Sequence, residues 1–187
     1  MALAFAPFDY AYLAFAALAF MFASWEVLTP GRAALRGFLF GLGLFGFGVS
    51  WVFVSVRVYG GADLSSSVLI TLLFVSVWSL FPALTGYLAS AIVRRSDHTI
   101  NSLILPGIWI LVEYIRGNWF LNGFPWLQIA YSQLDTPFSG YVPIIGVYGT
   151  GFIMALAADL ALQCRHGKRH IGTNLLLIAV LFASGAL

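Results

Sequence analysis

Glu113-Tyr-Ile-Arg116-Gly-Asn-Trp119-Phe-Leu-Asn122-Gly-Phe-Pro125-Trp126-Leu-Gln128-Ile-Ala-Tyr131-Ser-Gln133-Leu-Asp135 is the stretch whose reading decides how this chain is laid out. Glu113 and Arg116 stand at i and i+3, on one helix face, in an otherwise apolar run. A Gly-Phe-Pro-Trp break follows, then an aromatic-rich segment with amides and hydroxyls spaced through it. In apolar surroundings each of those polar groups is costly unless it has a partner or a task.

The surroundings are apolar throughout. Of 187 residues, 61% are hydrophobic and 9% charged, with a mean hydropathy of +0.94. Soluble domains carry about 25% charged residues, so a water-soluble globule is excluded. The class is all-α, a polytopic integral membrane helical bundle. The formal charge of +2 comes from basic residues scattered in short clusters, which suits topology rather than a nucleic-acid face. The single Cys164 excludes an internal disulfide and a multi-cysteine metal site. Residues 1–6 are too few to span a bilayer and lack the basic leader of a secretory signal.

Apolar runs of membrane length predict six crossings, at about 9–27, 34–56, 68–93, 100–116, 143–163 and 171–187. Gly37, Gly41 and Gly48 form a stripe in the second, with Gly43 and Gly46 beside it. Bare glycine lets helices approach closely in lipid, and that reading is preferred to a substrate groove. Pro82 is expected to kink the third crossing, and Pro143 to sit near the start of the fifth. No repeat or soluble linker interrupts the pattern. Both ends are expected to be cut, the first before a full helix and the last without a polar flank.

Seven of the nine Lys and Arg residues fall in the connections after crossings one, three and five: Arg32, Arg36, Arg94, Arg95, Arg165, Lys168 and Arg169. Basic turns stay cytoplasmic, so 117–142 and both chain ends face outward. A crossing by 117–142 would put the last basic cluster on the wrong side. The segment therefore reads as re-entrant or interfacial, and non-helical backbone there must pack in protein or line a cavity.

Two readings of Glu113 and Arg116 stand: an anchor for an anionic headgroup or an outside domain, and a self-satisfied ion pair. Trp119, Phe120, Phe124, Trp126, Tyr131, Phe138 and Tyr141 suit an interfacial aromatic belt. Asn122, Gln128, Ser132 and Gln133 are expected to satisfy backbone freed around Pro125, ahead of touching substrate. Asp159 is expected to pair with a basic residue of the inner turns. Cys164 has His166 near in sequence but no acid to orient the pair, so it reads as a plain interfacial cysteine. His98, His166 and His170 show no metal spacing, and no cofactor or metal is implied. No nucleophile, base and orienting group come together in the sequence.

Glu113-x-x-Arg116, Gly123-Phe-Pro-Trp-Leu-Gln128 and Tyr131-Ser-Gln133-x-Asp135 resemble the membrane region of bacterial apolipoprotein N-acyltransferase. The resemblance extends to Leu3-Ala-Phe-Ala-Pro7-Phe-Asp9, to Gly46-Phe-Gly48-x-Ser-Trp51-Val-x-Val-Ser55 with Gly60-Gly61, and to Pro143-Ile-x-Gly146-Val, in the family's order.

The resemblance implies a bacterial inner-membrane enzyme of lipoprotein maturation. Membrane phospholipid is the acyl donor, and the α-amino group of a diacylglyceryl-cysteine apolipoprotein is the acceptor. The acyl group passes through a thioester on a cysteine of a periplasmic nitrilase-like domain, completed by a glutamate and a lysine. That domain is expected beyond residue 187, so the catalytic residues fall on none of those present, and these residues alone are expected to be inactive. Glu113, Arg116, Trp119, Pro125, Trp126, Gln128, Tyr131 and Gln133 are the candidates for a substrate vestibule. The rival is a non-enzymatic membrane protein, a small transporter or scaffold. Transporters tend to carry internal repeats, and none is visible.

Overall fold

The computed structural model of the chain describes residues 1–93, 101–164 and 171–186, which are helical without a strand. Asp9 is in the left-handed region (φ 55°), so the first long helix, α1, begins only at Tyr12 and covers Tyr12–Val27. Pro30, whose missing N–H costs nothing at a helix start, opens α2 (Pro30–Gly48). A short α3 (Trp51–Val54) runs into a π-helical turn, Ser55–Tyr59. Helix α4 covers Leu64–Val93 and runs through Pro82. Helix α5 covers Asn101–Asn118. Three 3-10 turns, Phe120–Asn122, Ile129–Gln133 and Pro137–Tyr141, lead into α6 (Val142–Gln163). Helix α7 covers Ile171–Ser184.

The crossings differ from expectation in three ways. The stretch expected as one crossing at 34–56 is broken: Val49 (φ −121°, ψ 25°) leaves the helix, and Pro30–Gly48 meets Trp51–Tyr59 at a bend of 54°. Helix α4 starts four residues early because Asp63 caps it, accepting from Ser66 N at 3.0 Å and from the Ser65 and Ser66 hydroxyls. Those bonds hold the exposed Asp63 carboxyl below the usual carboxylate range. Helix α6 is interrupted at Gly146 (φ 71°, ψ −178°), a conformation essentially restricted to glycine, and Thr150 Oγ1 donates to the loosened Gly146 carbonyl at 2.9 Å.

Among the described residues, α4 (30 residues, mean hydropathy 2.1) and Pro137–Gln163 (27 residues, 1.7) are long and apolar enough to cross a membrane. The bent pair Pro30–Gly48 and Trp51–Tyr59 makes a third if it is one crossing. The helices α1 and α7, with 16 and 14 residues, are shorter than the ~20 that span a bilayer directly. The basic clusters with Arg94, Arg95, Asp97 and His98, and with Arg165, His166, Lys168, Arg169 and His170, lie outside the described residues, as does Leu187.

Helices α2 and α4 pack most extensively, and bare glycine is the reason. A Cβ on Gly37 would overlap the carbonyl oxygen of Pro82, one on Gly41 would sit 2.8 Å from Ser79 Cα, and one on Gly86 would sit 2.5 Å from the Ala33 oxygen. The close-packing reading of the stripe holds for Gly37 and Gly41. Ser90 Oγ donates to Leu28 O at 2.5 Å, tying α4 to the end of α1. Trp25 lies 5.9 Å from Phe22 and 6.3 Å from Trp109, ring centroid to ring centroid, which joins α1 to α5. Asn174 Nδ2 donates to Leu160 O, holding α7 on α6. Leu69, Leu72, Leu73 and Leu80 of α4 and Leu175 and Leu176 of α7 are exposed, an outer face that suits lipid rather than water.

Gly37→Ala should lower stability by about 1–3 kcal/mol, because a backbone carbonyl cannot move aside. Gly43→Ala, with nothing within 4 Å of the added carbon, should be neutral or stabilise by up to about 1 kcal/mol. Thermal unfolding of the two variants in one detergent checks this; equal shifts would contradict it.

Candidate functional site

The site begins where α5 ends. Trp109 and Glu113 stand one turn apart on its inner face, and both are buried, as is Arg116. After Asn118 the chain turns back on itself through Leu121 (φ 49°), Asn122 (φ 70°) and Gly123 (φ 86°). Gly123 is required there: a Cβ would overlap the Gly117 carbonyl oxygen. The reversal closes with Phe124 N donating to Arg116 O at 2.8 Å.

Arg116 then holds the returning strand of chain. Its Nη1 donates to Phe124 O at 2.8 Å and to Trp126 O at 2.6 Å, the two carbonyls flanking Pro125. Its Nη2 is 3.7 Å from Glu113 Oε1, and its guanidinium carbon lies 5.4 Å from the Phe45 ring centroid. The same Glu113 oxygen accepts from Ile129 N at 3.0 Å. One charge therefore grips the segment as it enters and the other as it leaves. Hydrogen bonds to charged groups contribute about 1.5–3 kcal/mol each. That is of the size needed to offset burying a guanidinium, which costs several kcal/mol without partners.

Arg116 is 4% exposed, and its donors go to backbone. Neither sequence reading of the pair is complete: each charge answers the other weakly and the returning segment strongly. The amides were expected to satisfy the backbone around Pro125, and they do not. Arg116 reaches those carbonyls first, and Gln128 Nε2 donates instead to Tyr148 Oη at 2.8 Å. Asn118 Nδ2 donates to the same hydroxyl at 2.5 Å. Gln133 turns the other way, to Ser132 Oγ at 2.9 Å and Ala11 O at 3.3 Å, and so ties the segment to the start of α1.

The aromatic residues divide. Trp78, Phe124 and Trp126 stack in series with centroids 4.6 and 5.4 Å apart, and Trp126 continues to Trp51 at 5.9 Å. Trp119 and Tyr131 face outward, Trp119 against Tyr114. Of the eight candidates, Glu113, Arg116, Pro125, Trp126 and Gln128 come together, and Trp119, Tyr131 and Gln133 lie apart. Sequence reasoning missed Phe45, Trp78, Leu127 and Tyr148. Tyr148 carried a signal, a hydroxyl in an apolar helix two residues past Gly146.

A cavity of 20 Å³ lies against the pair, lined also by Phe45, Thr85, Trp109 and Leu127. It has room for one water molecule. Glu113 Oε2 and Trp109 Nε1 are buried without a protein hydrogen-bond partner, so the cavity is polar on one side. Elsewhere, Asp159 accepts from Gln163 Nε2 at 2.7 Å, while most of the basic residues expected to meet it lie outside the described residues. Cys164 contacts the Leu160 carbonyl at 3.5 Å. Among the described residues no three His, Cys, Asp or Glu side chains gather to hold a metal.

Residues 1–160 match the family model described as the apolipoprotein N-acyltransferase N-terminal domain, a match that takes in the whole clamp and its backbone targets. The chain belongs to this family. Relatives named apolipoprotein N-acyltransferase include one from Methylococcus capsulatus, 47% identical over 170 residues, covering 89% of this chain and 34% of the relative. A second, from Pseudomonas syringae pv. tomato, is 38% identical over 187 residues, covering 98% and 37%. A third, from Coxiella burnetii, is 42% identical over 154 residues, covering 82% and 32%. The chain thus spans about a third of the length of the curated relatives it matches. The family resemblance read from Glu113-x-x-Arg116 and Gly123-Phe-Pro-Trp is established.

Removing one partner of a buried pair leaves an unpaired charge, at a cost of about 3–5 kcal/mol, more than removing both. Arg116→Ala should therefore destabilise strongly, and Glu113→Gln in the same chain should restore part of the loss. The two single losses should exceed the double loss by about 0.5–3 kcal/mol in detergent unfolding. Strict additivity would mean that the two charges act independently.

Proposed function

We propose that the chain is the membrane part of an apolipoprotein N-acyltransferase. In this reading it sits in the bacterial inner membrane with six crossings. The basic turns face the cytoplasm and 117–142 folds back at the periplasmic surface. The crossings follow α1, the bent α2–α3 pair, α4, α5, α6 and α7, tilt and the interfacial turns making up for the short ones. The reading is supported by the family match over residues 1–160 and by an outer face lined with exposed leucine.

The reaction moves an acyl chain from phospholipid to the α-amino group of a diacylglyceryl-cysteine apolipoprotein. A cysteine thiolate attacks the phospholipid ester carbonyl, the lysophospholipid alkoxide leaves with a proton, and a thioester remains. The acceptor amine then attacks the thioester and releases the thiol. A carboxylate base and a lysine-assisted oxyanion site, in a periplasmic nitrilase-like domain of the same polypeptide, serve both steps. The 187 residues supply the apolar vestibule in which both lipidated substrates lie. Glu113 and Arg116 act there as positioning residues, holding Pro125, Trp126 and Gln128 at the membrane surface. Trp119, Tyr131 and Gln133 form the outer rim.

The test is an exchange. Residues 1–187 replace the matching membrane region of the Methylococcus capsulatus relative in cells depleted of their own N-acyltransferase, and triacylated lipoprotein is measured. The chimera should restore it and residues 1–187 alone should not. A membrane-inserted chimera without activity, or restoration by residues 1–187 alone, would overturn the reading.

A further inference from the structure

Helix α7 touches the rest of the bundle sparingly. Of residues 171–186 only Asn174 and Gly185 are buried, and Leu175, Leu176, Val180 and Phe182 are exposed. Asn174 holds the first half of the helix to α6 through Leu160 O. Gly185 holds the far end, and what it meets there is the last turn of the returning segment, Pro137–Tyr141.

The contact is backbone against backbone. A Cβ on Gly185 would overlap the Pro137 carbonyl oxygen, and one on Gly140 would overlap the Gly185 oxygen. Glycine on both sides permits so close an approach. Side chains then fix the register. Tyr141 Oη donates to Leu181 O at 2.7 Å, so Ser184 Oγ, 2.5 Å away, donates to Tyr141. Phe138 meets Phe182 edge to face, with centroids 5.7 Å apart. The turn is joined in its own right to the residues before it: Thr136 Oγ1 donates to Gln133 O at 2.9 Å and accepts from Phe138 N at 3.3 Å. Gln133 in turn reaches Ala11 O. The end of α7 is thus registered against the returning segment and, through it, against the start of α1.

We infer that Gly140, Tyr141 and Gly185 are positioning residues for acyl transfer, because they fix the point at which the chain leaves α7 against the returning segment. The inference rests on the proposed function, in which the nucleophile belongs to a domain further along the same polypeptide. A domain tethered through α7 inherits the placement of that helix end. Misplacing reacting groups by about 1 Å can cost about 100-fold in rate, so the placement matters to the chemistry. A helix that only crossed the membrane could end in leucine facing lipid. This one ends in two glycine contacts and a tyrosine whose hydroxyl is committed to its last turn.

The experiment has a structural and a kinetic arm. In the first, the 187-residue chain in nanodiscs carries spin labels through Leu121→Cys and Ala183→Cys in a Cys164→Ser background; Leu121 and Ala183 are both exposed. Pulsed electron resonance should give one narrow distance, which Gly185→Ala and Tyr141→Phe broaden. The distance from Leu121→Cys to Leu80→Cys, on the exposed face of α4, should stay narrow in both variants. In the second arm the same substitutions enter the purified chimera with the Methylococcus capsulatus relative. Per folded molecule, Gly185→Ala and Tyr141→Phe should lower kcat by about tenfold or more and leave KM for phospholipid within about twofold. Asn174→Ala, which loosens only the start of α7, should leave kcat unchanged. Distances that neither substitution broadens would overturn the inference. So would broadened distances with full kcat, or an equal fall in kcat with Asn174→Ala, which would make the contact ordinary helix packing. A chimera inactive before any substitution would overturn the proposed function and the positioning role with it, while the distances would still report the α7 contact.

Discussion

A single guanidinium reaches two carbonyls that proline has made hard to satisfy. Phe124 O and Trp126 O flank Pro125 on a stretch of chain with no helix or sheet to absorb them, in surroundings where water is scarce. Unpaired, each would cost on the order of 1–3 kcal/mol. Arg116 Nη1 takes both, at 2.8 and 2.6 Å. The position of the returning segment follows, because a charge fixed on a helix end sets where those carbonyls must lie. Glu113 completes the arrangement by holding Ile129 N on the other side. The ion pair itself, at 3.7 Å, is the lesser part of what the two residues do.

The clamp works only on a rigid base, and small residues supply it. The α2–α4 contact lets α2 approach so closely that Gly37 has no room for a methyl group. That places Phe45 under the Arg116 guanidinium and Trp78 against Phe124. Beyond Gly41 the same helix uses glycine differently. Gly48 leaves room for the Leu127 side chain, which a Cβ there would meet at 2.5 Å. One run of glycines thus serves helix packing at its start and the returning segment at its end.

The amino-acid sequence made the all-helical class and the family legible, since these rest on composition and on the order of motifs. The bend at Val49 was not legible. Hydropathy is continuous from Ala34 to Val56, and a one-residue departure from helical geometry leaves no trace in it. Gly146 was hidden in the same way behind Pro143, the more obvious punctuation. In the site, Glu113 and Arg116 were visible because charge is rare here. Their partners were not, because the groups they bind are backbone atoms of Phe124, Trp126 and Ile129, which carry no residue-type signal. Tyr148 and Leu127 are ordinary residues made special by the turn opposite them.

The central claim is that Arg116 holds residues 117–136 in place, and amide hydrogen exchange of the 187-residue chain in nanodiscs tests it most directly. The account predicts slow exchange at the Phe124 and Ile129 amides. Arg116→Ala should bring its largest loss of protection at residues 117–136, well beyond the loss that lower overall stability brings to α2 and α4. Protection at Phe124 and Ile129 that survives Arg116→Ala would contradict the account, as would a loss spread evenly over every helix.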